Sequence, residues 1–422
     1  MLLAPLLLSA AGLAPQADPA DLREARTALE EVLTRNILEW WFPRTLDREQ
    51  GGYALNHDRE GRYRGPGNKA IVTQARVVWF LSRMARTRYG KPEHLEGARH
   101  GVAFLRNRMW DADHGGFYWE VDASGTRPTR PEKHLYGQAF GLYALSEYAI
   151  ASGDEPAKDL AGRLFRLLDC RAHDPRYGGY REFFRRDWSD PEEETPCPMG
   201  KTPPGTKLMN THLHLMEALT TYYAMSRDPV ARERLLELIS VQSVSVVRPA
   251  AGACTDKFAP DWTPLPGYDR ISYGHDVENV WLLIDACGTA GISVGPLRGV
   301  LEMLFDTSLR YGFDEKEGGF YDTGPFGGPA DRRAKIWWVQ AEGLAAALHL
   351  YRLTGRERYR DCFRKTLEWI LKHQVDRENG DWHAHIAPDG KITGDKAGPW
   401  KGPYHQGRAM IVGLELLERL PP

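Results

Sequence analysis

The sequence predicts an all-α protein, a closed (α/α)6 barrel of six helical hairpins, on three observations. The first is a repeat. Segments reading Gly51-Gly52-Tyr53, Gly115-Gly116-Phe117-Tyr118-Trp119, Gly178-Gly179-Tyr180, Gly318-Gly319-Phe320-Tyr321 and Gly380-Asp381-Trp382 punctuate the chain about every 63 residues, with one interval left blank. Self-similarity at such a period marks stacked hairpins or an array of small blades. The second is the pattern between the punctuations. Apolar residues fall at i, i+3, i+4 and i+7, as in Tyr136, Ala139, Phe140 and Tyr143, which is the spacing of a helix face. The third is a set of chemically capable side chains, Arg76, Tyr136, His214, His275, Trp338 and His405, one in the first turns of every second helical run.

Taken in order, the runs cover Asp21 to Trp41 and Ala70 to Tyr89, then His94 to Trp110 and Leu135 to Ile150, with a glycine pair inside each couple. The same periodicity continues through Pro156 to Leu168, Leu208 to Met225, Val230 to Val246, His275 to Ala286, Val294 to Tyr311, Ile336 to Leu353, Arg358 to His373 and Tyr404 to Leu420. That makes twelve helices. The glycine-aromatic segments alternate, as in Gly116-Phe117-Tyr118-Trp119-Glu120-Val121, and read as small strands or loops on one rim. A closed ring buries both faces of such a repeat. With the even-numbered helices inside, the six polar residues converge on one mouth. Each alone is as well explained as a helix cap or a satisfied core group; the set of six points to a site.

No Pro/Ser-rich linker or low-complexity tract interrupts the chain, so residues 18–422 are expected to form one domain. A net charge of −2 and a pI near 6.7 provide no basic face, which argues against nucleic acid and anionic membrane as partners. A monomer acting on a small molecule is expected. Thirteen tryptophans suit carbohydrate, whose apolar C–H faces stack on indole, although a large helical core also consumes them. Residues 1–17 are apolar, too short to span a bilayer and followed at once by Asp18 and Asp21. They read as a secretory signal peptide lacking its basic start, which predicts export, with a cytoplasmic protein as the alternative. Five widely spaced cysteines in no CxxC pattern indicate neither a disulfide framework nor a zinc site.

Three histidines stand out: His214 in Asn210-Thr-His-Leu-His-Leu-Met-Glu217, His275 in Ser272-Tyr-Gly-His-Asp-Val-Glu278, and His405 in Gly402-Pro-Tyr-His-Gln-Gly-Arg408. Imidazole gives and takes protons near neutral pH, and two of them across a substrate serve opposite faces of one carbon. Glu278, nearly one turn beyond His275, is placed to orient it. Metal binding competes, through His212 with His214 and His383 with His385. On a helix, however, i and i+2 point about 200° apart, so the first pair does not converge. Glycoside hydrolysis by two carboxylates is the second competitor, with Glu217, Asp276, Glu278 and Glu342 available. It leaves the histidines without a role, as does a non-catalytic sugar-binding protein. No Gly-x-Gly-x-x-Gly or P-loop segment is present to hold a nucleotide.

Three of these stretches resemble the motifs of the N-acylglucosamine 2-epimerase superfamily, and within it the cellobiose 2-epimerase branch: Ser272-Tyr-Gly-His-Asp-Val-Glu278, Lys335-Ile-Trp-Trp-Val-Gln-Ala-Glu342 and Trp400-Lys-Gly-Pro-Tyr-His-Gln-Gly-Arg408. The resemblance runs from Asp21 to Leu420. It implies an (α/α)6 barrel that uses no cofactor, with His275 and His405 as the acid/base pair and His214 as a further essential histidine beside Asn210. It also implies that Arg76, of Gln74-Ala-Arg76, binds the sugar near the reaction centre, that Tyr136 belongs to the site with Glu278 and Glu342, and that Trp337, Trp338 and Trp400 are stacking platforms. Gln406 departs from an Asn that is common there. The expected reaction inverts C2 of a reducing-end glucose through a cis-enediol, with a disaccharide preferred. Relatives that epimerise monosaccharides or form ketoses are the alternatives. Room for a second sugar is expected to depend on loops around Trp188, Trp262 and Trp382.

Overall fold

The computed structural model describes residues 20–192, 195–197 and 200–419. Among them are twelve α-helices of twelve residues or more. Six form an outer layer: α1 (Ala20–Glu31), α3 (Pro92–Phe104), α5 (Glu155–Arg171), α7 (Pro229–Ser240), α9 (Arg298–Gly312) and α11 (Glu357–Trp369). Six form an inner layer: α2 (Ile71–Ala85), α4 (Leu135–Ser152), α6 (Met209–Ser226), α8 (Tyr273–Ala290), α10 (Trp337–Thr354) and α12 (Tyr404–Glu418). Each inner helix packs on the next, and α12 packs on α2, closing the ring. The even-numbered helices are inside, as the sequence predicts.

Two expectations change. The inner helices are not amphipathic: every residue of α4 from Leu135 to Ala149 is buried, because it meets a neighbour on each side and an outer helix behind. The 3.6-residue stripe belongs to the outer layer, as in α11, which buries Tyr359, Cys362, Phe363, Thr366, Leu367 and Trp369; each large apolar side chain so buried contributes about 1.5–3 kcal/mol. The hairpins also run inner to outer rather than outer to inner. Helix α4 ends at Gly153 with φ of 70°, a left-handed cap that suits glycine, and Asp154 starts α5 by accepting from the Ala157 amide at 2.7 Å. The sixth pair is α12 with α1, from opposite ends of the chain.

Short antiparallel pairs decorate one rim, as expected. The two residues before each of five inner helices pair with a later segment, for example Lys133–His134 with Phe183–Phe184 and Lys335–Ile336 with His385–Ile386. A charged clamp fixes each glycine turn below them. Lys69, Lys133, Lys207 and Lys335 reach Asp47, Asp111, Asp174 and Asp314 at 2.7, 2.9, 2.7 and 3.0 Å. Five residues after the lysine, a side chain satisfies the aromatic residue's backbone: Gln74 bonds the N–H and C=O of Tyr53, and Gln138 those of Phe117, all at 2.8 Å, while His212 Nε2 accepts from Tyr180 at 2.9 Å. Buried backbone groups need such partners. The interval without a glycine pair carries Ile271 and Asp276 at the lysine and glutamine positions, and Asp276 accepts from the Cys254 amide at 3.2 Å.

Trp188 and Trp262 cover glycine turns, donating to His114 and Tyr177 carbonyls at 3.2 and 3.0 Å, and Trp382 is fully buried. These three serve the scaffold rather than the mouth. Among the described residues no helix is long and apolar enough to cross a membrane. The expected signal segment, residues 1–17, lies outside them.

Candidate active site

The N-terminal turns of the inner helices open on one mouth. The six landmark residues do not share one helical position there. Counted from the clamp position, Tyr136 and Trp338 stand three residues on, His275 and His405 four, and Arg76 and His214 seven. They occupy two successive turns, which contributes to their uneven spacing. Together with Asn210, Glu278, Trp337 and Trp400 they line a cavity of about 240 Å³. Ten of the eleven expected site residues therefore share one space. Glu342, the eleventh, sits one layer behind it, against His405.

Each histidine has a distinct setting. His405 Nδ1 lies 2.7 Å from Glu342 Oε1, and Glu342 Oε2 accepts from the Trp281 indole N–H at 2.9 Å. His214 Nδ1 lies 3.1 Å from Glu217 Oε2. Among the described residues His275 has no carboxylate partner; its ring lies against Trp338, centroids 4.7 Å apart. Gly274 permits that contact, because a Cβ there would come within 2.4 Å of the indole. Burial holds all three imidazoles below their ordinary pKa, His275 down to about 3 and His405 well down with Arg76 and Arg408 adding to the effect. A lowered pKa favours the neutral imidazole, the form that accepts a proton.

Glu278 does not orient His275. Its Oε1 accepts from Arg408 Nη2 at 2.5 Å, because Arg408 reaches inward from α12 into the layer beneath the cavity. The same guanidinium bonds Glu342 at 2.8 Å, Glu217 and the Tyr404 hydroxyl, and Tyr404 also donates to Glu217. Burial and mutual repulsion push Glu278 well above the usual carboxylate range against the pull of Arg408. Burial also opposes ionisation of Glu217, yet Arg408 and His214 hold it down near 2. Glu278, Glu342 and His405 are the one described group of three able to hold a metal ion, and Arg408 already supplies a cation to both carboxylates. The His-x-His pairs divide as helix geometry requires for the first: His212 serves the Tyr180 turn while His214 enters the cavity.

Arg76 is fixed by the Tyr136 hydroxyl at 3.0 Å and the Trp400 carbonyl at 3.1 Å, with its guanidinium over Phe140 and Tyr404. Trp400 is 41% exposed at the lip, whereas Trp337 is buried and Trp338 partly so. Gln406 faces away, bonded to Asp381 and the Gly402 carbonyl, so its departure from Asn belongs to the clamp. Sequence reasoning missed Arg408, Tyr404 and Trp281 and set Glu217 in a hydrolase role. The available signal was position: Arg76, Phe140, His214, Glu278, Glu342 and Arg408 all stand seven residues beyond the clamp position, forming one ring.

The N-acylglucosamine 2-epimerase (GlcNAc 2-epimerase) family matches residues 51–409. The cellobiose 2-epimerase of Ruminococcus albus is 32% identical over 396 residues, 90% of this chain and 96% of that protein. The solved cellobiose 2-epimerase of Spirochaeta thermophila has a TM-score of 0.85 at 34% identity, covering 96% of this chain and 99% of that one. The D-mannose isomerase of Thermobifida fusca is 25% identical over 384 residues, 86% of this chain and 90% of that protein. With the fold and a histidine-lined cavity in agreement, this chain is a sugar isomerase and belongs to the N-acylglucosamine 2-epimerase family.

Proposed function

We propose that the chain inverts C2 of the reducing-end glucose of a β-1,4-linked disaccharide, turning cellobiose into glucosyl-mannose without a cofactor. The observation that carries this reading is the grouping of three imidazoles and one pinned guanidinium around a single cavity. The C2 proton becomes acidic only once the hemiacetal opens, because the free carbonyl then delocalises charge as a cis-enediol. His405, backed by Glu342, assists ring opening and later faces one side of C2. His275 faces the other. Removal on one side and return on the other inverts the centre. Arg76, held in place before substrate arrives, stabilises the enediolate oxygen. Trp338 lies beside both catalytic imidazoles, its ring centroid 4.7 Å from that of His275 and 5.7 Å from that of His405, so a sugar stacked on it lies within their reach. Among the described residues the cavity wall carries one carboxylate, not the two that flank a glycosidic bond: Glu278 lines it, Glu342 does not, and both serve Arg408.

Disaccharide preference is supported by Trp400, whose exposed ring at the lip offers a surface to a second sugar. Parallel incubation of cellobiose, mannose and N-acetylglucosamine in D₂O, with products resolved by NMR, tests the reading. The expected result is glucosyl-mannose deuterated at C2, no free glucose, and a higher kcat/KM for cellobiose than for mannose. Unlabelled free glucose identifies a hydrolase instead. A ketose as main product assigns the chain to aldose-ketose isomerisation instead.

A further inference from the structure

A second cavity, also of about 240 Å³, opens at the other mouth of the ring, with Glu217 and Arg408 between it and the site. On its wall His349, seven residues beyond Glu342 on α10, lies parallel to Trp281 of α8, with ring centroids 5.6 Å apart and planes 16° apart. Trp281 is 3% exposed, and its indole N–H is the donor to Glu342 described above. The stack is not an ion pair. His349 Nε2 is buried without a hydrogen-bond partner, and burial, with Arg352 and Arg419 nearby, keeps the ring uncharged, its pKa lowered to about 3. A flat neutral ring at that place has one evident consequence: it restricts tilting of the indole. If the indole tilts, its N–H leaves Glu342 Oε2, and the carboxylate, still held at Oε1 by Arg408, loses the donor that sets its angle toward His405.

We propose that His349 is a positioning residue for the epimerisation, acting from the opposite mouth by fixing Trp281, which holds Glu342 against His405. The inference rests on the reading of the site as an epimerase centre. Two full-length variants test it. His349→Leu keeps the volume and removes the flat ring; His349→Phe keeps the ring. The expected result is a kcat for cellobiose reduced roughly five- to tenfold in the Leu variant, about the worth of one aromatic stack, with KM within twofold because His349 does not touch the substrate cavity. The Phe variant returns kcat to within about twofold of the parent. Proton NMR of the Trp281 indole N–H, assigned through Trp281→Phe, shifts in the Leu variant and stays in place in the Phe variant. Parental kcat in the Leu variant overturns the proposal, as does equal loss in both variants. If the parent turns over none of the three sugars, the epimerase reading fails, and the indole resonance still decides whether His349 fixes Trp281. Should the Leu variant not fold, an indole resonance displaced in the Phe variant overturns the proposal and an undisplaced one with parental kcat supports it.

Discussion

Replacing Glu342 by glutamine keeps size and shape and changes only what the two oxygens offer. Oε1 receives His405 and Arg408, and Oε2 receives the Trp281 indole. An amide presents one acceptor and one donor, so no orientation satisfies all three. With its oxygen toward His405 and Arg408, the NH₂ group meets the indole N–H at a separation near 2.9 Å, two donors facing each other. The reverse orientation sets NH₂ against Arg408 and against the nitrogen through which His405 is held, and forces the imidazole into the other tautomer. Leaving one buried polar group unsatisfied costs about 1–3 kcal/mol, and the lost carboxylate charge adds a comparable amount when His405 becomes an imidazolium. Together these correspond to roughly 10²–10⁴ in kcat. Glu342 does not line the cavity, so KM should stay within about threefold. Initial rates of cellobiose epimerisation measured by NMR, with a thermal melt as control for folding, make the test. A Glu342→Gln protein that melts like the parent and retains kcat within threefold refutes the reasoning, because His405 then does not depend on its carboxylate.

His275→Ala and His405→Ala should each lower epimerisation by at least about 10² while leaving the circular dichroism unchanged, since both rings face open space; near-parental turnover in either removes the two-base assignment. Arg408→Met strips the cation from three buried carboxylates and should destabilise the protein by about 3–5 kcal/mol, visible in urea unfolding; a midpoint equal to the parent's argues that the carboxylates are neutral without it. Asp276 has its pKa raised to about 8 by burial. The native state therefore keeps a proton that the unfolded chain has lost, and stability falls as pH rises from about 4 to about 8. Asp276→Asn should remove that loss, raising Tm by a few degrees at pH 8 and by little at pH 4; the shift in pKa caps the gain at ~6 kcal/mol. A Tm difference that does not grow with pH rejects this account.

Much of the ring was legible because glycine turns and apolar spacing repeat along the chain, and ten of eleven expected site residues meet at one cavity because they sit near helix starts that the fold gathers together. What escaped was second in line. Arg408 stood inside a quoted motif, but nothing in local spacing shows that a side chain one turn past His405 reaches across the axis to Glu217 and Glu278. The expected Glu278 to His275 contact failed for the same reason: proximity along one helix lost to a charge arriving from another. The tryptophans Trp188 and Trp262 misled because a large ring near a loop reads as a binding surface, whereas positive φ at both, 68° and 67°, belongs to turns that fold the indole back on a glycine pair.

The pairing of α12 with α1 bears on how the site comes into being. A growing chain can stack α2 through α11 in order as they emerge, yet the layer beneath the cavity still holds Glu217, Glu278 and Glu342 without their guanidinium. His405 and Arg408 arrive together on α12, and that helix lodges between α10 and α2 with α1 behind it. Docking of α12 thus closes the ring and brings His405 and Arg408 to the site together. Turnover therefore requires α12 in place, because without it Glu217, Glu278 and Glu342 lack the guanidinium that bonds all three.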